Sequence, residues 1–199
     1  PSGGCLPESE FDLPVDFDTL DAAGSMVGSG GMVVMDDSAC MVDVAKYFLT
    51  FLKDESCGKC ATCRLGVDRM LEIVTDISEG RGTSEQLDLL EDLAWTVSTA
   101  SLCALGKTAP NPVLSTLKYF RDEYAAHIEE GRCPAAVCRA LIHYTIDPEV
   151  CTKCGLCAKT CPHDAVKGDA DTGFTIDETA CTRCGICMES CKPAAISKA

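Results

Sequence analysis

The 199-residue chain has no apolar run approaching the roughly 20 residues that span a bilayer, and no secretory leader is visible at its start. It is short of positive charge: 17 Lys and Arg stand against 31 Asp and Glu, a formal balance of −14. A phosphate backbone would be repelled by such a surface, which excludes nucleic acid as the partner of its cysteine motifs. Histidine is scarce. The three present, His127, His143 and His163, show no catalytic arrangement with a nucleophile or second base. An initiator methionine is lacking too, and the opening Pro1-Ser2-Gly3-Gly4-Cys5 reads as the continuation of a longer polypeptide. What is abundant is cysteine, with sixteen residues, alongside a hydrophobic fraction of 46% that can supply a core. In a short secreted chain this would suggest a disulfide framework, so the spacing has to decide. Twelve of the cysteines fall into three C-x2-C-x2-C triplets with one later partner each. Such thiols converge on metal centres and stay free in a reducing cytosol, so the expected location is cytoplasmic.

The chain divides by pattern into an α+β arrangement. Residues 1–31 are loop-rich, and Met32-Val33-Val34-Met35 reads as a strand. From Ser38 the period becomes helical, with Met41, Ala45, Phe48, Leu49 and Leu52 on one face. A second helix carries Val67, Met70, Leu71, Val74 and Ile77 and stops at Gly80. A third starts with a capping box of Thr83 and Gln86 and buries Leu87, Leu90, Ala94 and Val97. The fourth opens at Asn111-Pro112, runs through Val113, Leu117, Phe120, Tyr124 and Ile128, and ends at Gly131. Four amphipathic helices with short connections predict an antiparallel four-helix bundle over residues 37–131. Residues 132–147 then read as a linker, and residues 148–199 as a separate small module. In that module residues 151–167 recur as 181–197, with Phe174-Thr175-Ile176 as a hairpin strand.

The C-terminal repeat reads C-x2-C-x2-C-x3-C twice, the spacing of bacterial two-cluster ferredoxins, in which the fourth cysteine serves the other cluster. One [4Fe-4S] cluster is therefore expected on Cys151, Cys154, Cys157 and Cys191, and another on Cys181, Cys184, Cys187 and Cys161. Pro162 follows Cys161 as the pattern expects, whereas Lys192 stands between Cys191 and Pro193. A third set comprises Cys57, Cys60 and Cys63 at the start of the second helix, with Cys103 beyond the third. A helical hairpin returns Cys103 to the end of the bundle that holds the triplet. Zinc is the competing occupant, less implausible at this all-thiolate site than at the duplicated one. Three oxidised clusters at about −2 each would take the holoprotein to a charge of roughly −20.

The run Glu55 to Arg64, the later Leu102-Cys103-Ala104-Leu105-Gly106 and the preceding Gly30 to Asp36 resemble the C-terminal part of the NADH-oxidising flavoprotein subunit of complex-I-type enzymes. Thr62 stands where that family commonly has Pro. The appended ferredoxin repeat and the stretch Thr108 to Leu114 narrow the likeness to the beta subunit of cytoplasmic, electron-bifurcating, NAD-dependent [FeFe] hydrogenases. The resemblance implies that residues 1–36 end a beta-grasp domain and that FMN and NAD(H) bind upstream. It also implies a relay of single electrons toward an [FeFe] hydrogenase catalytic subunit, a small thioredoxin-like [2Fe-2S] subunit and ferredoxin. The Gly-rich stretch Gly24 to Gly31 has neither the strand before it nor the helix after it that a phosphate loop needs, so flavin binding is not expected here. The same relay in an NAD-linked formate dehydrogenase or a respiratory NADH dehydrogenase is a second reading. A purely structural, metal-bound docking module is a third.

Cys5, Cys40, Cys133 and Cys138 remain outside the clusters. Cys40 falls in the first turn of the first helix and His127 in the last turn of the fourth, ends that meet in an up-down bundle. The segment Gly131 to Cys138 can fold back with two more thiols, giving a zinc tetrad of Cys40, His127, Cys133 and Cys138. The hydrogenase resemblance points the same way. His143 could replace His127, Cys5 could enter, or the thiols could simply be buried beside a surface histidine. His163 is expected at the surface beside its cluster.

Overall fold

A computed structural model describes residues 3–198, in two compact units that meet in sequence between Cys138 and Arg139. In the first, a turn of 3-10 helix at Glu8–Glu10 precedes α1 (Phe17–Ala23). Asp16 caps α1 by accepting the Thr19 amide at 2.7 Å, and Gly24 ends it with φ at +86°. This short helix falls in the stretch read as loop. The strand expected at Met32–Met35 does not form: Met32, Val33 and Val34 are 75%, 76% and 75% exposed, and no strand precedes Tyr144 among the described residues. A strand needs a neighbouring edge to bond to, and this segment has none here.

The first unit is otherwise helical. α2 (Met41–Asp54), α3 (Ala61–Ser78) and α4 (Ser84–Ala100) are followed by a short α5 (Ala104–Thr108), then α6 (Asn111–Tyr119) and α7 (Arg121–Glu129). Their apolar stripes meet in one core that includes Leu49, Met70, Ile73, Ile77, Leu90 and Val113, all essentially inaccessible. Gly66 lets α3 and α4 approach closely, since a Cβ there would stand 2.2 Å from a Val97 methyl. The capping box at Thr83 and Gln86 forms in both directions, and Gly80 follows α3 with φ at +74°.

The fourth predicted helix is broken in two at Phe120, whose φ of −133° and ψ of 34° leave the helical region. Ser115 and Thr116 just before it donate their hydroxyls back to carbonyls of their own helix, a pattern that bends helices. The break also lets Tyr124 bury completely with its hydroxyl 2.8 Å from that of Thr116. One turn further on, His127 is buried as well.

The second unit contains two antiparallel ribbons and two short helices. β1 (Tyr144–Ile146) pairs with β4 (Ile196–Lys198), closing the unit end to end, and β2 (Val166–Asp169) pairs with β3 (Gly173–Ile176). α8 (Leu156–Thr160) and α9 (Ile186–Glu189) pack beside them. Tyr144 is already paired with Lys198, so the module begins before residue 148, within the stretch read as linker. The segment Cys133–Cys138 instead belongs to the first unit.

Candidate metal centres

Cys40, His127, Cys133 and Cys138 converge in the first unit, with one ligand atom from each lying within 4.8 Å of all the others. All four residues are buried. The Cys40 and Cys138 sulfurs lie 3.7 Å apart, and His127 Nε2 lies 3.4 Å from the first and 3.3 Å from the second. Sulfurs held tetrahedrally at ~2.3 Å from one zinc stand about 3.8 Å apart, so these spacings suit the ion. Each ligand is placed by its own local structure. Cys40 immediately precedes α2 and makes no side-chain cap bond there, which leaves its sulfur free to turn inward. Cys133 and Cys138 sit on a tight turn, with Ala136 at φ +48° and the amides of Val137 and Cys138 directed at the Cys133 sulfur at 3.4 and 3.5 Å.

Glu123 ties the two halves together, and no sequence pattern pointed to it. Its carboxylate accepts the Met41 amide at 2.9 Å, capping α2 from another helix, and its carbonyl lies 2.7 Å from His127 Nδ1. A proton on Nδ1 donated to that carbonyl leaves Nε2 as the ligand atom facing the thiols. The only hint was that Glu123 lies four residues before His127, one turn away on the same face. Burial disfavours a charge on His127, but the sulfurs of Cys133 and Cys40 and the Glu123 carbonyl outweigh it and push its pKa up to about 10. His143 belongs to the second unit, where its Nδ1 lies 3.4 Å from Glu178. Cys5 is also apart, its amide donating to Ser115 Oγ at 2.8 Å, and burial pushes its thiol up to about 11 against the Ser115 hydroxyl.

The second constellation lies where α3 begins and α4 ends. Cys60 is the residue before α3, Cys63 is buried in its first turn, and Cys103 is the residue before α5. The Leu102 amide donates to the Cys60 sulfur and lowers its pKa, so the Cys103 segment lies against the triplet. Thr62 donates its hydroxyl to the Ala100 carbonyl at 3.2 Å, a tether between the two helices that a proline could not make. The Ser56 hydroxyl lies 3.6 Å from the Cys63 sulfur, and Arg64 donates to the Gly58 carbonyl. Gly106 is the close approach: a Cβ there would lie 2.6 Å from Ser101 Cβ and 3.2 Å from Cys63 Cβ. Gly106→Ala is therefore expected to cost about 1–3 kcal/mol by overpacking and to displace Cys63. Thermal denaturation against the wild type, with iron counted per chain, checks it.

In the second unit the duplication extends to the backbone. Lys153 and Arg183 have φ of +55° and +57°, Gly155 and Gly185 +72° and +81°, and Asp164 and Ala194 +49° and +55°. Left-handed conformations at non-glycine residues are strained, and they recur here at equivalent places beside the cysteines. The Ala165 amide donates to the Cys161 sulfur and the Ala195 amide to the Cys191 sulfur, each at 3.3 Å. Burial works against the Cys161 thiolate, yet the amides of His163, Ala165 and Val166 outweigh it and hold its pKa down. Cys161, Cys181, Cys184 and Cys187 line one small pocket together with Tyr144, His163 and Ile186. Cys157 and Cys187 are buried in the apolar centre of the unit, with Cys161 and Cys191 packed against it. Cys151 and Cys154 lie just before α8. All-thiolate donor sets, amides directed at sulfur and a dry wall suit iron–sulfur groups.

Residues 43–127 match the iron-sulfur binding region of NADH-ubiquinone oxidoreductase-F, and residues 144–197 match a 4Fe-4S dicluster domain. Two stretches of the chain thus match iron–sulfur families. It is 51% identical over 168 residues to the HndC subunit of the NADP-reducing hydrogenase of Solidesulfovibrio fructosivorans, covering 84% of this chain and 34% of that one. It is 46% identical over 133 residues to the F 2 subunit of the NADH-quinone oxidoreductase of Rhizobium meliloti, covering 67% and 32%. An NAD+-reducing [NiFe]-hydrogenase in the H2-reduced state superposes with a TM-score of 0.58 at 27% identity, over 65% of this chain and 22% of that one. The iron–sulfur chain thus spans about a third of the length of these curated relatives, 34% and 32%, and corresponds to the C-terminal part of such subunits. No helix among its described residues is long and apolar enough to cross a membrane.

Proposed function

We propose that the chain is the electron relay of a cytoplasmic, electron-bifurcating hydrogenase, with three [4Fe-4S] clusters between an upstream FMN and NAD(H) site and iron–sulfur partners. The partners would be an [FeFe] hydrogenase catalytic subunit, a small thioredoxin-like [2Fe-2S] subunit and ferredoxin. The observation that carries the relay is the cavity lined by Cys161, Cys181, Cys184 and Cys187, in which a cysteine from one half of the repeat joins three from the other. When bound, each cluster takes and passes one electron at a time, which is what a hydride's electron pair requires once a flavin has split it. The chain's own residues would hold these groups through thiolates, direct amides of Leu102, Ala165 and Ala195 at sulfur, and keep water away with apolar walls. Cys57, Cys60, Cys63 and Cys103 would hold one cluster, Cys151, Cys154, Cys157 and Cys191 a second. Cys40, His127, Cys133 and Cys138 would hold one structural zinc, for which the sulfur spacing of 3.7 Å is the support.

The same relay in a respiratory NADH dehydrogenase is the second reading, favoured by the 46% identity to the NADH-quinone oxidoreductase of Rhizobium meliloti. The hydrogenase reading is preferred because the match to HndC extends over 84% of the chain against 67%. Identification of the subunits that co-purify separates the two. The relay itself is tested by iron and acid-labile sulfide, expected at about twelve each per chain because three cubanes hold four of each. Iron near eight would remove one cluster. A colourless protein holding only zinc would leave a structural docking module in place of a relay.

A further inference from the structure

Ser101 ends α4, and its side chain is 3% exposed. Its Oγ is the sole buried side-chain nitrogen or oxygen among the described residues without a hydrogen-bond partner. A buried hydroxyl left unpaired forfeits its hydration with nothing in return, so such an atom points to an acceptor that belongs beside it. The neighbourhood says which one. A Cβ on Gly106 would stand 2.7 Å from Ser101 Oγ and 3.2 Å from Cys63 Cβ, so the serine hydroxyl and Cys63 flank the same bare α-carbon. The next residue, Leu102, directs its amide at the Cys60 sulfur, and the one after it is Cys103. The other hydroxyls here are engaged: Thr62 donates to the Ala100 carbonyl, and Ser56 accepts the Gly58 amide at 3.3 Å beside the Cys63 sulfur.

We propose that the Ser101 hydroxyl donates a hydrogen bond to a sulfur of the iron–sulfur group held by Cys57, Cys60, Cys63 and Cys103, and so raises the reduction potential of that group. The inference rests on the cluster assignment made for these four cysteines. Adding an electron makes the group more negative, and a donor directed at sulfur stabilises that form more than the oxidised one. No bond is made or broken and no proton changes owner. Ser101 is a positioning and tuning residue, lying outside the ligand set.

The test is a potentiometric titration of the full chain with dithionite, followed by electron paramagnetic resonance, on the wild type, Ser101→Ala and Ser101→Thr. One hydrogen bond is worth about a factor of ten in an equilibrium constant. In Ser101→Ala the reduction equilibrium of the helical-unit signal is expected to fall about tenfold, a displacement of ~59 mV to more negative potential for one electron. The two C-terminal signals should not move, and Ser101→Thr should restore most of the loss. A helical-unit signal at wild-type potential in Ser101→Ala overturns the proposal and leaves the cluster assignment standing, whatever happens to thermal stability. Iron near eight per chain in the wild type overturns both.

Discussion

Replacing Cys103 with Ser is expected to remove about four of about twelve irons per chain, and with them one of three cluster signals, while the other two keep their intensity and potential. The selectivity follows from the architecture. Cys103 belongs to the unit that ends at Cys138, and both ligand sets of the repeat lie beyond Arg139, so the units share no thiolate. The substitution is also mild for the fold. Cys103 is exposed and precedes α5 without a side-chain cap bond, a position where serine is at least as well suited. The unit's core of Leu49, Met70, Ile73 and Leu90 does not include it. Loss of all three signals would show that the set Cys57, Cys60, Cys63 and Cys103 is misassigned, and unchanged iron would show that Cys103 is no ligand. Iron analysis and low-temperature spectra of the two proteins, prepared alike, decide among these outcomes.

The features legible in the sequence were those set by local chemistry and fixed spacing. The capping box at Thr83 and the stop at Gly80 depend on a few neighbouring residues, and both formed. The strand Phe174–Ile176 and the doubled cysteine spacing are likewise local, and the structure repeats them down to paired backbone angles. Tertiary demands overrode pattern elsewhere. The stripe from Val113 to Ile128 has helical period throughout, yet the chain breaks at Phe120, where back-bonding hydroxyls and the burial of Tyr124 outweigh continuity. Met32–Met35 has strand composition without an edge to pair with. At the tetrad, placing Cys40 and His127 at opposite ends of the helical series was enough to bring them together. The sequence named His127 with His143 as its alternate, and in the structure His143 lies beside Glu178 in the second unit. Glu123 and Ser101 had no signal of their own, since a lone Glu on a helix and a lone Ser before a Cys are common.

Removal of His127 is expected to empty the zinc site. In His127→Ala, bound zinc should fall from about one equivalent to below a tenth, with iron unchanged, because a closed structural site needs all four ligands. The effect on stability should be large for one surface-distant residue. His127 is 1% exposed and lies with the three cysteines in one buried group of candidate ligands. With zinc bound to three thiolates, taking away one ligand would leave buried charge without its full set of partners, at a cost of about 3–5 kcal/mol. Chelation provides the control. A strong chelator should lower the wild-type transition toward that of His127→Ala and leave the variant unmoved, since binding to the folded form alone stabilises by mass action. Two ligands come from Cys133 and Cys138, so loss of the ion should also loosen this segment, whose own turn is closed by the amides of Ala136, Val137 and Cys138 on the Cys133 carbonyl and sulfur. Protease cleavage after Arg132 or Arg139, slow in the wild type, should speed up in the variant and after chelation. Zinc retained at one equivalent in His127→Ala would refute the tetrad, and an iron count that falls with the zinc would show that the site is not independent of the clusters.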